Sequence, residues 1–219
     1  MGGIEGQLVI GLSVLVLVWY FLGQHALRRR GLAVLQWVRA GVSILGESPK
    51  LRWLGSAAFQ LTIEHPAPPF QALSITVVLE PREIFFLWLI NRFRKRRDLM
   101  VVRGDLTTRP RVSFELFREE GRSGQEAKAI ANSERWPITI FDTSGLQLAT
   151  SSPLSQNVLH TAMPQVAGHL AAISRLSIRD ASPHLLFNYT LRPGQAGPAG
   201  PVFHALLDLA RALLAAHPV

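Results

Sequence analysis

Cysteine is absent from all 219 residues, which excludes disulfides, thiolate metal centres and cysteine nucleophiles while saying little about compartment. Charge is missing from one stretch: residues 6–27, GQLVIGLSVLVLVWYFLGQHAL, run for 22 positions without a formal charge. No Lys or Arg precedes that stretch, and Glu5 is the one acid before it. Signatures of nucleotide and serine-hydrolase chemistry are lacking as well. Gly121-Arg122-Ser123-Gly124 is too short for a Gly-x-x-x-x-Gly-Lys-Ser/Thr phosphate loop, and there is no Gly-x-Ser-x-Gly elbow. The seven histidines (His25, His65, His160, His169, His184, His204, His217) show no metal-ligand spacing. His160 and His169, nine apart, face opposite sides of an expected helix. The expectation is no metal and no cofactor.

What is present begins with the uncharged stretch. At 1.5 Å per residue it reaches roughly 33 Å, against roughly 30 Å for a hydrocarbon core. Its apolar centre is Leu8, Val9, Ile10, Leu12, Val14, Leu15, Val16, Leu17, Val18, Trp19, Tyr20, Phe21 and Leu22. The pattern predicts a transmembrane anchor over residues 1–27. A cleavable leader normally has a basic n-region and a small-residue site after its apolar run. Here the basic n-region is missing, and Trp19, Tyr20 and Phe21 suit a membrane–water boundary. Arg28, Arg29, Arg30 and Arg39 follow the span, which predicts a single-pass topology with the C-terminal bulk in the cytoplasm.

Apolar content of 48% supports a packed core and excludes global disorder. A juxtamembrane helix is expected over 28–50, either continuing the membrane helix or bending from it at Gly31, with Gly46 as a stop and Glu47-Ser48-Pro49 as a break. Beyond it the period shortens to two. Residues 51–65, 70–80, 99–106, 112–117, 137–141, 146–150, 173–179 and 184–191 read as strands. Helices are expected over 83–97, 119–134, 154–173 and 202–217. The fold class is α+β, an antiparallel sheet with helices on one face. It divides into a lobe over 51–135 and a lobe over 136–219 that share the order ββαββα, which raises internal duplication.

The formal charge is +8, and residues 82–122 hold eleven Lys or Arg against six Asp or Glu. Within them, seven apolar residues at 84–90 run into Arg92, Arg94, Lys95, Arg96 and Arg97. The apolar part is too short to span. Two readings stay open: a buried helix with a solvated basic end, or an interfacial helix. In the second, Phe85, Phe86, Trp88 and Leu89 are the apolar contacts and the five cations meet anionic lipid headgroups. Nucleic acid is the runner-up partner, without an RNA-binding or helix-turn-helix signature behind it.

One motif hints at catalysis. Ile140-Phe141-Asp142-Thr143-Ser144-Gly145 resembles the active-site turn of aspartic proteases, departing where Ser144 stands before the Gly. A turn aspartate between two strands needs no catalytic explanation. The leading expectation is a membrane-anchored interaction or scaffold module without enzymatic activity; the alternative is a membrane-tethered hydrolase using Asp142.

Overall fold

The computed structural model describes residues 2–81, 89–90, 97–141, 145–151, 164, 166–192 and 197–215. A single helix, α1 (Gly2–Val42), precedes the sheet. Among the described residues nine strands follow: β1 (Gly46–Trp53), β2 (Ala58–Pro66), β3 (Phe70–Val78), β4 (Asp98–Leu106), β5 (Phe114–Arg118), β6 (Ile138–Ile140), β7 (Leu146–Thr150), β8 (Ile173–Ile178) and β9 (Leu185–Leu191). Helix α2 (Gly121–Ser133) lies between β5 and β6, and α3 (Gly200–Ala215) closes the described chain. The strands form one antiparallel sheet in the order β1-β2-β3-β4-β9-β8-β5-β7-β6. The α+β class is as the sequence predicts.

Alternation along the strands divides the sheet into two faces. One face carries Phe59, Leu61 and Ile63 from β2, Ile75 and Val77 from β3, and Met100 and Val102 from β4. Across the sheet it continues through Phe187 and Tyr189, Leu176 and Ile178, Phe114 and Leu116, and Leu146 and Leu148. These side chains share one core with the inner half of α1 (Leu27, Val34, Leu35, Val38, Val42) and with α3 (Val202, Phe203, Leu206, Leu209, Leu213).

On the opposite face, Ala127 and Ala131 of α2 pack on Phe117 and Ala149, with Trp136 and Ile138 beside them. Helices therefore cover both faces, which corrects the expectation of one. The reason is local. In β5 and β8 both alternating sets of side chains are buried, so a second layer must cover the far side of those strands.

Helix α1 runs through Gly31 to Val42, and Gly31 lets Leu79 and Trp53 come close (a Cβ there would sit 3.4 Å from each). One more expectation changes. Glu47-Ser48-Pro49 is not a connecting break but part of β1, which pairs with β2 from Gly46↔Pro66 to Trp53↔Phe59. Proline and four charged or polar side chains hide a strand from pattern reading, and they are what an edge strand tolerates. At Gly46 φ is +145°, and a Cβ would lie 2.3 Å from the His65 carbonyl oxygen, so the chain enters the sheet there only as glycine.

The expected helix over 154–173 lies mostly outside the described residues. Its described end, Ala167–Ala172, is a 3₁₀ helix. The recurrence of element order is not matched by strand order. A two-fold exchange of β4 with β8 and β5 with β9 would require β7-β8-β5, where the sheet has β7-β5-β8.

The α1–α3 crossing is close. A Cβ on Gly41 would fall 2.9 Å from the Gly200 backbone nitrogen and 2.9 Å from Phe203 Cδ2, so backbone, not a pliable tip, stands in the way. Gly41→Val is expected to destabilise the domain by about 1–3 kcal/mol through overpacking. Chemical denaturation in detergent micelles measures it, and a variant as stable as the parent would contradict the crossing.

Candidate functional site

Both ends of the sheet are defined by hydrogen-bonded partners. At one end β4 begins with Asp98, 5% exposed, whose Oδ2 receives Arg30 Nε at 2.8 Å and whose Oδ1 accepts the Glu80 backbone N–H at 2.9 Å. Arg30 Nη2 also donates to the Arg192 carbonyl at 2.8 Å, joining α1 to the end of β9. Arg30 thus faces into the domain, while Arg28, Arg29 and Arg39 remain exposed. The other end of β4, Leu106, lies eight residues on, roughly 26 Å away at strand rise.

The Asp98 end faces the outer half of α1. Twelve apolar side chains between Leu8 and Leu22 are 41–68% exposed, with Trp19 half-buried. Only 6% of the most apolar window of the helix is covered by the rest of the chain. The inner half of the same helix is core. By length and composition, α1 is long and apolar enough to cross a membrane.

The same end carries exposed apolar side chains that belong to the sheet and its connections. Trp53 and Leu54, at the β1–β2 turn, are 44% and 50% exposed, and Val78 at the end of β3 is 45%. Leu32, on α1 beside Gly31, is 53% exposed. The turn is held by Leu54 N–H to the Ala58 carbonyl (2.9 Å) and Leu79 N–H to the Ala57 carbonyl (2.7 Å). Trp53 and Phe59 meet edge to face, ring centroids 5.3 Å apart.

The opposite end is polar. An open groove of about 870 Å³ is lined by Gln71, Asp105, Thr107, Arg109, Asp180, Ser182 and His184, among others. His184 Nδ1 accepts the Leu106 N–H at 3.0 Å, so the neutral ring carries its proton on Nε2. Asp105 Oδ1 stands 4.0 Å from that Nδ1 and instead accepts the His184 backbone N–H at 3.3 Å; the two side chains do not form an acid–base pair. Among the described residues no three His, Asp or Glu side chains converge to hold a metal ion.

A third polar cluster is covered by α2. Glu115, fully buried, accepts from two of the three guanidinium nitrogens of Arg175, Nε to Oε2 at 2.9 Å and Nη2 to Oε1 at 3.1 Å. Ser177 Oγ donates to Oε1 at 2.7 Å, Arg179 Nε stands 3.4 Å from it, and Glu126 Oε2 stands 3.5 Å from Arg175 Nη1. Strand pairing makes this possible, because Glu115 sits directly opposite Ser177 and Phe117 opposite Arg175. Asn188 Nδ2 bonds Ser123 of α2, which buries the first residue of the Asn188-Tyr189-Thr190 sequon. Nearby, Lys128 Nζ bonds Glu119 Oε1 at 2.5 Å and, with Gln147, holds that exposed carboxyl below its usual range. The cluster is a charge-compensated structural pair, with no open approach for a substrate. Glu115 and Arg175, opposite charges inside apolar strands, were the sequence signal for it.

Arg92, Arg94, Lys95 and Arg96, with Phe85, Phe86 and Trp88, lie outside the described residues, as does Asp142. Of that basic segment Arg97 is described and exposed; Leu89 is half-buried and helical. Trp53, Leu54 and Val78 were not singled out from sequence, since isolated apolar residues at strand ends carry no periodic mark. In comparisons with known proteins, no family model matches the chain and no curated protein is similar to it.

Proposed function

We propose that this chain is a single-pass membrane protein in which the outer half of α1 spans the bilayer and holds the α+β body at the cytoplasmic face. There the body works by binding, as an interaction or scaffold module. The exposure of twelve apolar side chains on a helix whose other half is core carries this reading. At about 1.5–2 kcal/mol per side chain, their transfer from water to hydrocarbon is worth on the order of 20 kcal/mol. Such a term exceeds the ~5–15 kcal/mol that holds a domain folded. Water is therefore a poor medium for this half-helix. Against a soluble core helix stands its lack of cover by the rest of the chain. Against a removable leader stands the unbroken continuation of α1 through Gly23 and Leu27, both buried, to Val42. Exposed Arg28 and Arg29 favour the cytoplasmic side.

The five cations Arg92, Arg94, Lys95, Arg96 and Arg97 are assigned to anionic lipid headgroups. Supporting this, the connection that carries them leaves the sheet after Val78 and returns at Asp98, the end clamped to Arg30. Each cation beside an anionic leaflet contributes about 1 kcal/mol. In vesicles containing spin-labelled phosphatidylserine or phosphatidylcholine, the full chain is expected to immobilise the serine lipid preferentially. Changing the five to Ser or Gln is expected to remove that preference. Equal selectivity before and after the change would contradict the assignment.

A further inference from the structure

We infer that the Asp98 end of the folded body has a second membrane contact, with Trp53, Leu54 and Val78 seated in the interfacial layer of the bilayer that α1 spans. The inference rests on the span proposed above and extends it to the sheet.

Position is the first observation. Gly31, whose Cα faces Trp53 closely enough that a Cβ would lie 3.4 Å from its ring, is nine residues beyond Leu22. That is about 13 Å along the helix axis, and less along the normal once the helix tilts, close to the depth of a headgroup layer. The β1–β2 turn projects past Trp53 to Leu54, whose side chain is half exposed.

Distribution is the second observation. Outside the spanning half of α1, the large exposed apolar side chains are Leu32, Trp53, Leu54, Val78, Ile90 and Ile140 among the described residues. Leu32, Trp53, Leu54 and Val78 lie at the Asp98 end, Ile90 belongs to the connection between β3 and β4, and Ile140 belongs to β6 at the sheet edge. The far end offers Asp105, Thr107, Arg109, Asp180 and Ser182 instead. The body is thus polarised along the strands, apolar toward the span and polar away from it. A tryptophan and aliphatic residues beside exposed Arg28 and Arg29 match the chemistry of an interfacial layer, where aromatic rings and cations are favoured together. A soluble partner would have no reason to share the level of the bilayer surface.

The natural lack of cysteine allows a clean test. Leu54→Cys, Thr107→Cys and Leu15→Cys are labelled one at a time with an environment-sensitive fluorophore in the full chain, reconstituted into phosphatidylcholine vesicles containing a headgroup-proximal spin-labelled phosphatidylcholine. All three positions are solvent-accessible within the chain, so the substitutions leave the core untouched. Leu15→Cys reports the span, and Thr107→Cys the distal end. The expectation is quenching at Leu54→Cys about threefold greater than at Thr107→Cys, with blue-shifted emission, as for interfacial residues. Blue-shifted emission at Leu15→Cys with quenching at Leu54→Cys no different from Thr107→Cys overturns the second contact and leaves the span standing. Emission at Leu15→Cys as red as that of a water-exposed label removes the span and this contact with it.

Discussion

Glu115→Leu is expected to destabilise the domain by about 3–5 kcal/mol, the usual cost of stripping one partner from a buried ion pair. The carboxylate is fully buried and takes two bonds from Arg175 and one from Ser177. Without it, Arg175, 3% exposed, keeps only Glu126 at 3.5 Å among the described ion pairs, and Arg179 loses its nearest carboxylate as well. Arg175→Met is expected to cost less. Glu115 then retains the Ser177 hydroxyl and Arg179, which is 31% exposed and has room to swing toward it. Replacing both at once is expected to cost less than Glu115→Leu alone, because neither charge is left uncompensated in the core. Denaturant titration of the three variants in the same micelles measures the order. Equal stabilities for Glu115→Leu and the parent would mean that the pair is not buried as described.

The second large effect concerns the span. Val14→Arg combined with Leu17→Arg is expected to remove the chain from the membrane fraction. A charged residue near the centre of a spanning helix costs about 2.5–3.5 kcal/mol on the insertion scale, so two together roughly double that. Both positions are more than half exposed and touch nothing in the core, at 53% and 56%. The folded body is therefore expected to keep the denaturation midpoint of the parent once solubilised. Val14→Leu with Leu17→Ile, which conserves hydropathy, is expected to stay in the membrane. If the double-arginine chain is retained like the conservative one, the outer half of α1 is held by something other than hydrocarbon.

How much of this was legible in the sequence depends on the range of the physics involved. Periodicity is a local signal, and it located β2 through Phe59, Leu61 and Ile63 and the body of α3 through Leu206, Leu209 and Leu213. Register and order are long-range. Nothing in residues 114–118 marks that β5 pairs with β7 on one side and β8 on the other, or that β9 joins β4 to β8. The strand β1 escaped because its charges and Pro49 suit an exposed edge and mimic a loop. Gly31, a candidate bend by sequence, makes room for Trp53 and Leu79, a close approach that no local pattern marks. The apolar end of the sheet was invisible for a related reason: Val78 is far in sequence from Trp53 and Leu54, and only the strand pairing brings them to one end.

The most direct test of the central claim is alkaline carbonate extraction of membranes bearing the unmodified chain, followed by intact mass measurement. The account predicts that the chain stays in the pellet at its full 24.2 kDa. A chain released into the supernatant, or one shortened by loss of its apolar leader, would contradict it.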